Sequence, residues 1–173
     1  MRFAHCTYDT TAREILDIFN DAILNTTALY DYQPRSLETM APWFKVKETG
    51  SYPVIGAFDE VGHLLGFASY GAFRNWPAYK YTVEHSVYIH KEHRGKGIGL
   101  ALMQKLIKEA KKQQYHIMVG GIDASNQASI SLHERLGFFH AGTIKHAGFK
   151  FSRWLDLAFY QLVLETPPEP IDG

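Results

Sequence analysis

Apolar residues recur along this chain with two periods, and the switches between them set out the elements in order. Residues 3–6 read as a short edge-like strand. Asp9 to Thr11 then offer capping side chains to a helix in which Ile15, Leu16, Ile18, Phe19, Ala22 and Ile23 return at spacings of three and four. The segment N-T-T-A-L-Y-D-Y-Q-P that follows is polar and aromatic at once, which suits a pocket-lining loop or a solvated connection equally. Ser36, with Pro34 before it and Glu38 and Thr39 behind, opens a second helix through Trp43 and Phe44 that Gly50 and Pro53 close. Residues 54–58 and 64–70 predict a hairpin through D-E-V-G-H, its second strand interrupted at Gly66.

The stretch E-H-S-V-Y-I-H-K-E-H-R-G-K-G-I-G-L, residues 84–100, changes character part-way. It begins as a strand with His85, Val87 and Ile89 on one face and Glu84, Ser86 and Tyr88 on the other. Gly95, Gly97 and Gly99 then leave backbone N–H groups uncovered where a helical pattern starts at Ile98. Helix N-termini carry unpaired donors and a partial positive charge, and no Ser, Thr, Asp or Asn stands here to satisfy them. The residues therefore predict an anion cradle, against the plainer alternative of a glycine-rich turn with no ligand. A dinucleotide G-x-G-x-x-G does not fit, because the third glycine would fall at Leu102, and no G-K-[ST] follows for a P-loop.

The helix over 98–112 buries Ile98, Leu102, Met103, Leu106, Ile107 and Ala110 and turns Lys105, Lys108, Lys111 and Lys112 outward. An apolar strand over 116–119 ends at Gly120 and Gly121, and strand, helix and strand in that order imply a parallel pair with a crossover helix. Residues 123–138 predict a last helix with Ile130, Leu132 and Leu136 apolar and a stop at Gly137. Asn126 and His133, seven residues apart, lie about two turns along one face. Residues 139–144 and 151–164 form a closing hairpin, and 166–173 a frayed proline-rich tail. The sum is one α/β domain over 1–173, with a mixed central sheet of about seven strands and about four helices.

Composition narrows the partners. The chain has 173 residues, enough to bury roughly 70% of its unfolded surface without staples. Lys plus Arg equals Asp plus Glu at 18 each, so no net field favours nucleic acid or an anionic membrane. Cys6 is the single cysteine, which excludes an intrachain disulfide and suits a reducing compartment. The N-terminus lacks the apolar core of a signal peptide and no stretch has the ~18 apolar residues of a membrane span, so a cytoplasmic location is expected. No metal is expected.

Between Gly71 and Thr82 lies A-F-R-N-W-P-A-Y-K-Y, with Arg74 and Lys80 among aromatics. It is either a surface loop packed on the body or a substrate wall in which Arg74 offers its planar fork to a carboxylate or phosphinate. Glu84, a carboxylate in an otherwise apolar strand, needs a partner such as Arg74 or Lys80, or a purpose.

The strand ending in Y-I-H, the R-G-K-G-I-G loop and N-Q-A-S-I-S-L-H-E-R-L-G-F resemble the GNAT superfamily of N-acetyltransferases, whose loop pattern is R/Q-x-x-G-x-G/A. T-V-E-H-S-V-Y-I with H-A-G-F-K-F-S-R-W-L-D-L-A-F-Y-Q-L is similar to the phosphinothricin and methionine sulfoximine acetyltransferase branch. The resemblance spans most of the chain and implies a mostly antiparallel sheet with a splayed parallel pair. It implies that acetyl-CoA pairs its pantetheine arm with Val87, Tyr88 and Ile89. Its pyrophosphate would sit on the loop of Arg94, Gly95, Lys96, Gly97, Ile98, Gly99 and Leu100, with Asn126 meeting the arm.

The resemblance also implies a catalytic Glu84 as the base that frees the acceptor amine, since each pKa unit above the working pH costs ~1.4 kcal/mol. His133 stands where many members have a tyrosine, and would either protonate the departing thiolate or hydrogen-bond the cofactor. Arg74, Asn75 and Trp76 with Glu84, His85 and Ser86 would line the acceptor site. Lys150, Phe151, Arg153 and Trp154 would close it from the same or a second subunit of a homodimer. The implied reaction is direct acetyl transfer to the α-amino group of a small amino-acid-like acceptor. A polyamine, aminoglycoside or peptide N-terminus, or a non-catalytic acyl-CoA sensor, is the alternative.

Overall fold

The computed structural model describes residues 1–173. Seven strands form one sheet in the order β1-β2-β3-β4-β5-β7-β6, where β1 is Arg2–His5, β2 Val54–Phe58, β3 Leu64–Ala72, β4 Thr82–Ile89, β5 Ile117–Asp123, β6 Phe139–Lys150 and β7 Arg153–Val163. Four helices accompany them: α1 Tyr8–Asn25, α2 Met40–Thr49, α3 Ile98–Lys112 and α4 Gln127–Arg135. β4 and β5 run parallel, while the β1–β2, β2–β3, β5–β7 and β6–β7 pairs are antiparallel. The mixed, mostly antiparallel sheet is the expected one.

The chain packs as two compact units, one of residues 1–70 with 86–106 and one of 71–85 with 107–173. In the first, the three-and-four spacing of α1 buries Ile15, Ile18 and Phe19 with Met40, Phe44 and Phe67. Phe19 is edge-on to Trp43, Phe67 and Tyr88 at centroid distances of 5.4, 5.2 and 5.3 Å. The cap of α1 is Thr7 in a reciprocal box with Thr10, ahead of the expected Asp9. A 3-10 turn, Leu37–Thr39, precedes α2, so Ser36 opens the turn and not the helix.

In the second unit, β5 continues through Gly120 and Gly121 to Asp123, where the sequence predicts an end. α4 is shorter than 123–138, because Asn126 caps it by accepting the Ser129 amide at 3.1 Å. β6 runs on to Lys150 with two register shifts, and Phe151 and Ser152 turn the hairpin at φ of 51° and 59°. In the tail, Thr166 donates to the Tyr115 carbonyl, and the Ile171 amide to the Tyr81 hydroxyl at 3.2 Å.

Candidate active site

Alternation along β4 turns Glu84 and His85 to opposite faces, and β5 has to admit both. In the parallel register Thr82, Val83 and Glu84 stand beside Ile117, Met118 and Val119, so the two glycines of β5 come immediately after the partner of Glu84. A Cβ on Gly120 would lie 2.7 Å from His85 Nε2 and 3.1 Å from His133 Nε2. One on Gly121 would lie 3.3 Å from Glu84 Oε1. The missing methyls make room for a pair of imidazoles on one face and a carboxylate on the other. This explains why the strand carries glycines where the sequence suggests a stop.

Glu84 is half-buried, and burial pushes its carboxyl above the usual range, with the positive charge of Arg74 partly offsetting the rise. Neither candidate cation pairs with it. Arg74 is exposed, donates from Nη1 to the Phe73 carbonyl at 2.7 Å and lies over the Phe73 ring at 4.2 Å; Lys80 lies over Tyr81 at 5.1 Å. A carboxylate partly stripped of water and held without a direct counter-ion is a stronger base than a solvated one.

On the other face the imidazoles form a chain whose tautomers follow from one acceptor. The Ser129 carbonyl can only accept, so His133 Nδ1, at 2.6 Å, donates to it. Neutral His133 then presents a lone pair at Nε2, and His85 Nε2, at 2.9 Å, donates to that. His85 Nδ1 is left as a buried acceptor with no protein partner. The rings stack at 4.9 Å with Phe138 edge-on to both. Burial, and then the neighbouring His133, pull His85 down to about 3, and burial lowers His133 as well. Both are neutral near pH 7.

The first unit carries the other candidate residues. Val87, Tyr88 and Ile89 are part-buried on β4, and the chain leaves the strand with the His90 amide donating to the Leu65 carbonyl at 2.9 Å. Gly95 and Gly97 adopt φ of 75° and 77°, the left-handed region that favours glycine, with no side chain over either. Gly99 lies inside α3, which starts at Ile98 as the apolar pattern predicts. Arg94 is turned to protein, donating to the Ile89 carbonyl at 3.2 Å and pairing with Asp21 at 2.6 Å, while Lys96 donates to the Glu92 carbonyl at 3.0 Å. These bonds hold the loop in shape around bare amides at the start of a fifteen-residue helix.

The model of the acetyltransferase (GNAT) family matches residues 14–138. The chain belongs to the GNAT acetyltransferase family. Among its relatives, the L-methionine sulfoximine/L-methionine sulfone acetyltransferase of Pseudomonas paraeruginosa is 47% identical over 151 residues, covering 87% of this chain and 88% of its own length. The L-amino acid N-acyltransferase MnaT of Escherichia coli is 42% identical over 156 residues, 90% of each chain. The solved structure of a GNAT superfamily phosphinothricin acetyltransferase from Sinorhizobium meliloti, in complex with acetyl-CoA, matches with a TM-score of 0.94 at 37% identity, covering 99% of this chain and 94% of that one.

Within this GNAT chain two expectations change. His85, predicted to touch the acceptor, is 8% exposed and faces away from Glu84, because neighbouring strand residues must point oppositely. His133 has both ring nitrogens engaged and its one proton committed to a backbone carbonyl, so it is no ready acid. Asn126 Oδ1 is spent on the helix cap. Arg74, Asn75 and Trp76 are exposed and Ser86 shares the Glu84 face. Arg153 reaches Asp123 of its own chain at 3.5 Å, and Lys150 is 4% exposed beside Phe151, with Trp154 exposed. The imidazole pair carries no signal in sequence, since its members are separated by 48 residues with no spacing rule to join them.

Proposed function

We propose that this chain transfers the acetyl group of acetyl-CoA to the α-amino group of a small amino-acid-like acceptor, such as phosphinothricin or methionine sulfoximine, by direct attack in a ternary complex. The observation that carries the proposal is Glu84: a part-buried carboxylate of raised basicity, on the strand that leads into a loop of open amides. The curated relatives acting on these acceptors, and the solved relative holding acetyl-CoA, support it.

Acetyl-CoA supplies an acyl carbon activated as a thioester. The amides from Gly95 to Leu100 hold its diphosphate, with Val87, Tyr88 and Ile89 presenting backbone groups to the arm. Glu84 takes a proton from the acceptor ammonium and leaves a neutral nucleophile; a carboxyl raised toward the working pH does this better than a solvated one. A β4 amide, that of Ile89 or a neighbour, donates to the oxygen that gains charge; as the intermediate collapses the C–S bond breaks, and the CoA sulfur leaves with the proton shed by the new amide nitrogen. Arg74 presents its fork to the acceptor carboxylate or phosphinate, with Asn75, Trp76 and Ser86 beside it. His133 and His85 act as positioning residues behind β4 and β5 and not as the acid.

We further infer a homodimer, supported by the apolar residues left exposed on β6 and its hairpin, Phe139, Ile144, Phe149, Phe151 and Trp154. The single cysteine, buried and free, and the balanced charge support work in the cytoplasm on small molecules, apart from nucleic acid and membrane. No helix is long and apolar enough to cross a membrane.

Thiol release from acetyl-CoA, measured over a panel of amino-acid analogues, polyamines and aminoglycosides, tests the substrate class. Turnover with phosphinothricin or methionine sulfoximine and none with polyamines is expected. Release no faster than hydrolysis with every amino-acid analogue would remove the acceptor assignment.

A further inference from the structure

The strand-to-loop corner of the first unit carries side chains for which acetyl transfer has no use. The 3-10 turn Lys91–His93 leaves β4 with His90 just ahead of it. The ligand-capable atoms of His90, Glu92 and His93 all lie within 4.8 Å of one another, with Glu92 exposed and both histidines part-buried. That spacing brings three donor atoms around one point, as a single ion with ligands at about 2.0–2.2 Å requires.

A second observation bears on the sign of the ligand. The same three residues line a cavity of about 280 Å³ with Glu14, Asp17, Asp59, Leu64 and His63, whose Nδ1 lies 3.1 Å from the Asp59 carboxylate. Four carboxylates thus face the space, and no Lys or Arg lines it. Two of them are fixed by backbone donors: Glu14 accepts the Leu64 amide at 2.8 Å, and Asp59 accepts the Gly62 and His63 amides at 2.7 and 2.8 Å. Those bonds hold the Asp59 carboxyl below its usual range, so it stays ionised. Of the nearby cations, Arg94 pairs with Asp21, and Lys96 donates to the backbone carbonyl of Glu92, leaving its carboxylate for a ligand. The one bond an ion would disturb is long, from the Glu92 amide to His90 Nδ1 at 3.3 Å.

We infer that His90, Glu92 and His93 form a binding site for a divalent transition-metal cation of the zinc or nickel class, outside the acetyl-transfer chemistry. Two imidazoles and one carboxylate are the donor set that such ions prefer, whereas magnesium and calcium ask for oxygen alone. The negative cavity wall supplies charge balance without direct ligation. Because the turn leads into Arg94 and Gly95, an ion there also ties down the entrance to the glycine loop.

Isothermal titration of Zn²⁺ into the full chain, after chelator treatment, is the test. One equivalent bound with a raised melting temperature is expected, with Ca²⁺ giving no such heat. The chain has nine histidines, so location is fixed by variants. His90→Asn keeps an acceptor for the Glu92 amide, and with His93→Gln it should weaken Zn²⁺ binding by at least about tenfold, as should Glu92→Gln alone. Absence of saturable binding would overturn the site. So would unchanged affinity in the double variant, or in Glu92→Gln should the double variant fail to fold, because the ion would then be sitting on other residues.

Discussion

Gly120→Ala is the most direct probe of how β5 accommodates the residues of β4. Its backbone lies outside the left-handed region, so alanine is conformationally allowed and, by restricting the unfolded chain, would by itself add roughly 0.4–1 kcal/mol of stability. Sterics oppose this. The new methyl would sit 2.7 Å from His85 Nε2 and 3.1 Å from His133 Nε2, inside van der Waals contact with both. Neither ring has room to retreat, since His85 is 8% and His133 1% exposed, and Phe138 abuts both. Separating them loses a hydrogen bond worth about 1 kcal/mol and strands buried nitrogens at about 1–3 kcal/mol, and overpacking adds about 1–3 kcal/mol. The net expectation is a loss of roughly 3 kcal/mol, which for a chain of this length lowers Tm by about 6–12 °C. Urea unfolding at neutral pH, with the slope unchanged, measures it. In a His85→Ala background the ring is gone, and the same substitution should cost less than about 1 kcal/mol, giving a coupling within the range seen for residues in contact. A loss below about 0.5 kcal/mol in the native background, or equal losses in both, would refute the reasoning.

Other outcomes follow from the same faces of β4. Stability should fall as pH drops below 6.5 toward about 3, because the unfolded chain takes up protons on His85 that the folded chain, with its value pulled to about 3, refuses. Urea midpoints at pH 5 and 7 should differ less in His85→Leu than in the native chain. Glu84 has the opposite sign, since its folded value is raised and its ionised form costs stability above the unfolded value. Glu84→Gln should therefore be more stable at pH 7 while kcat/KM falls by about 10²–10⁴, the range for a lost general base, and equal rates across pH would remove Glu84 from that role. Arg74→Ala should raise KM for amino-acid acceptors and shift the acid limb of kcat/KM to higher pH, because a neighbouring positive charge is gone. Gly97→Ala places a side chain at a φ of 77°, and should raise KM for acetyl-CoA more than it lowers kcat.

Much of the frame was legible because it rests on local patterns. The spacing of Ile15, Ile18, Phe19 and Ile23 gave α1, and apolar runs gave β2 and β3, since burial of one stripe or face is all those elements need. Gly95 and Gly97 announced the loop. What failed was whatever depends on a distant side chain. Gly120 and Gly121 read as an end to β5 because glycine usually breaks strands, and their reason for being there lies in His85, His133 and Glu84. Asn126 read as part of a helix that it caps. The family resemblance puts His85 with the acceptor, although alternation along β4 sets it on the other face from Glu84.

The three rungs that join Thr82, Val83 and Glu84 to β5 bear on which lengths of chain this protein tolerates. Side chains on a strand invert with every step, so a slip of one position would exchange a carboxylate for an imidazole on both sides at once. Insertions between Gly71 and Tyr81 can be absorbed as slack, whereas a single deletion inside residues 82–85 would remove basicity from one side and bury an ionisable group on the other. Homologous chains should accordingly vary in length ahead of this strand and never within it.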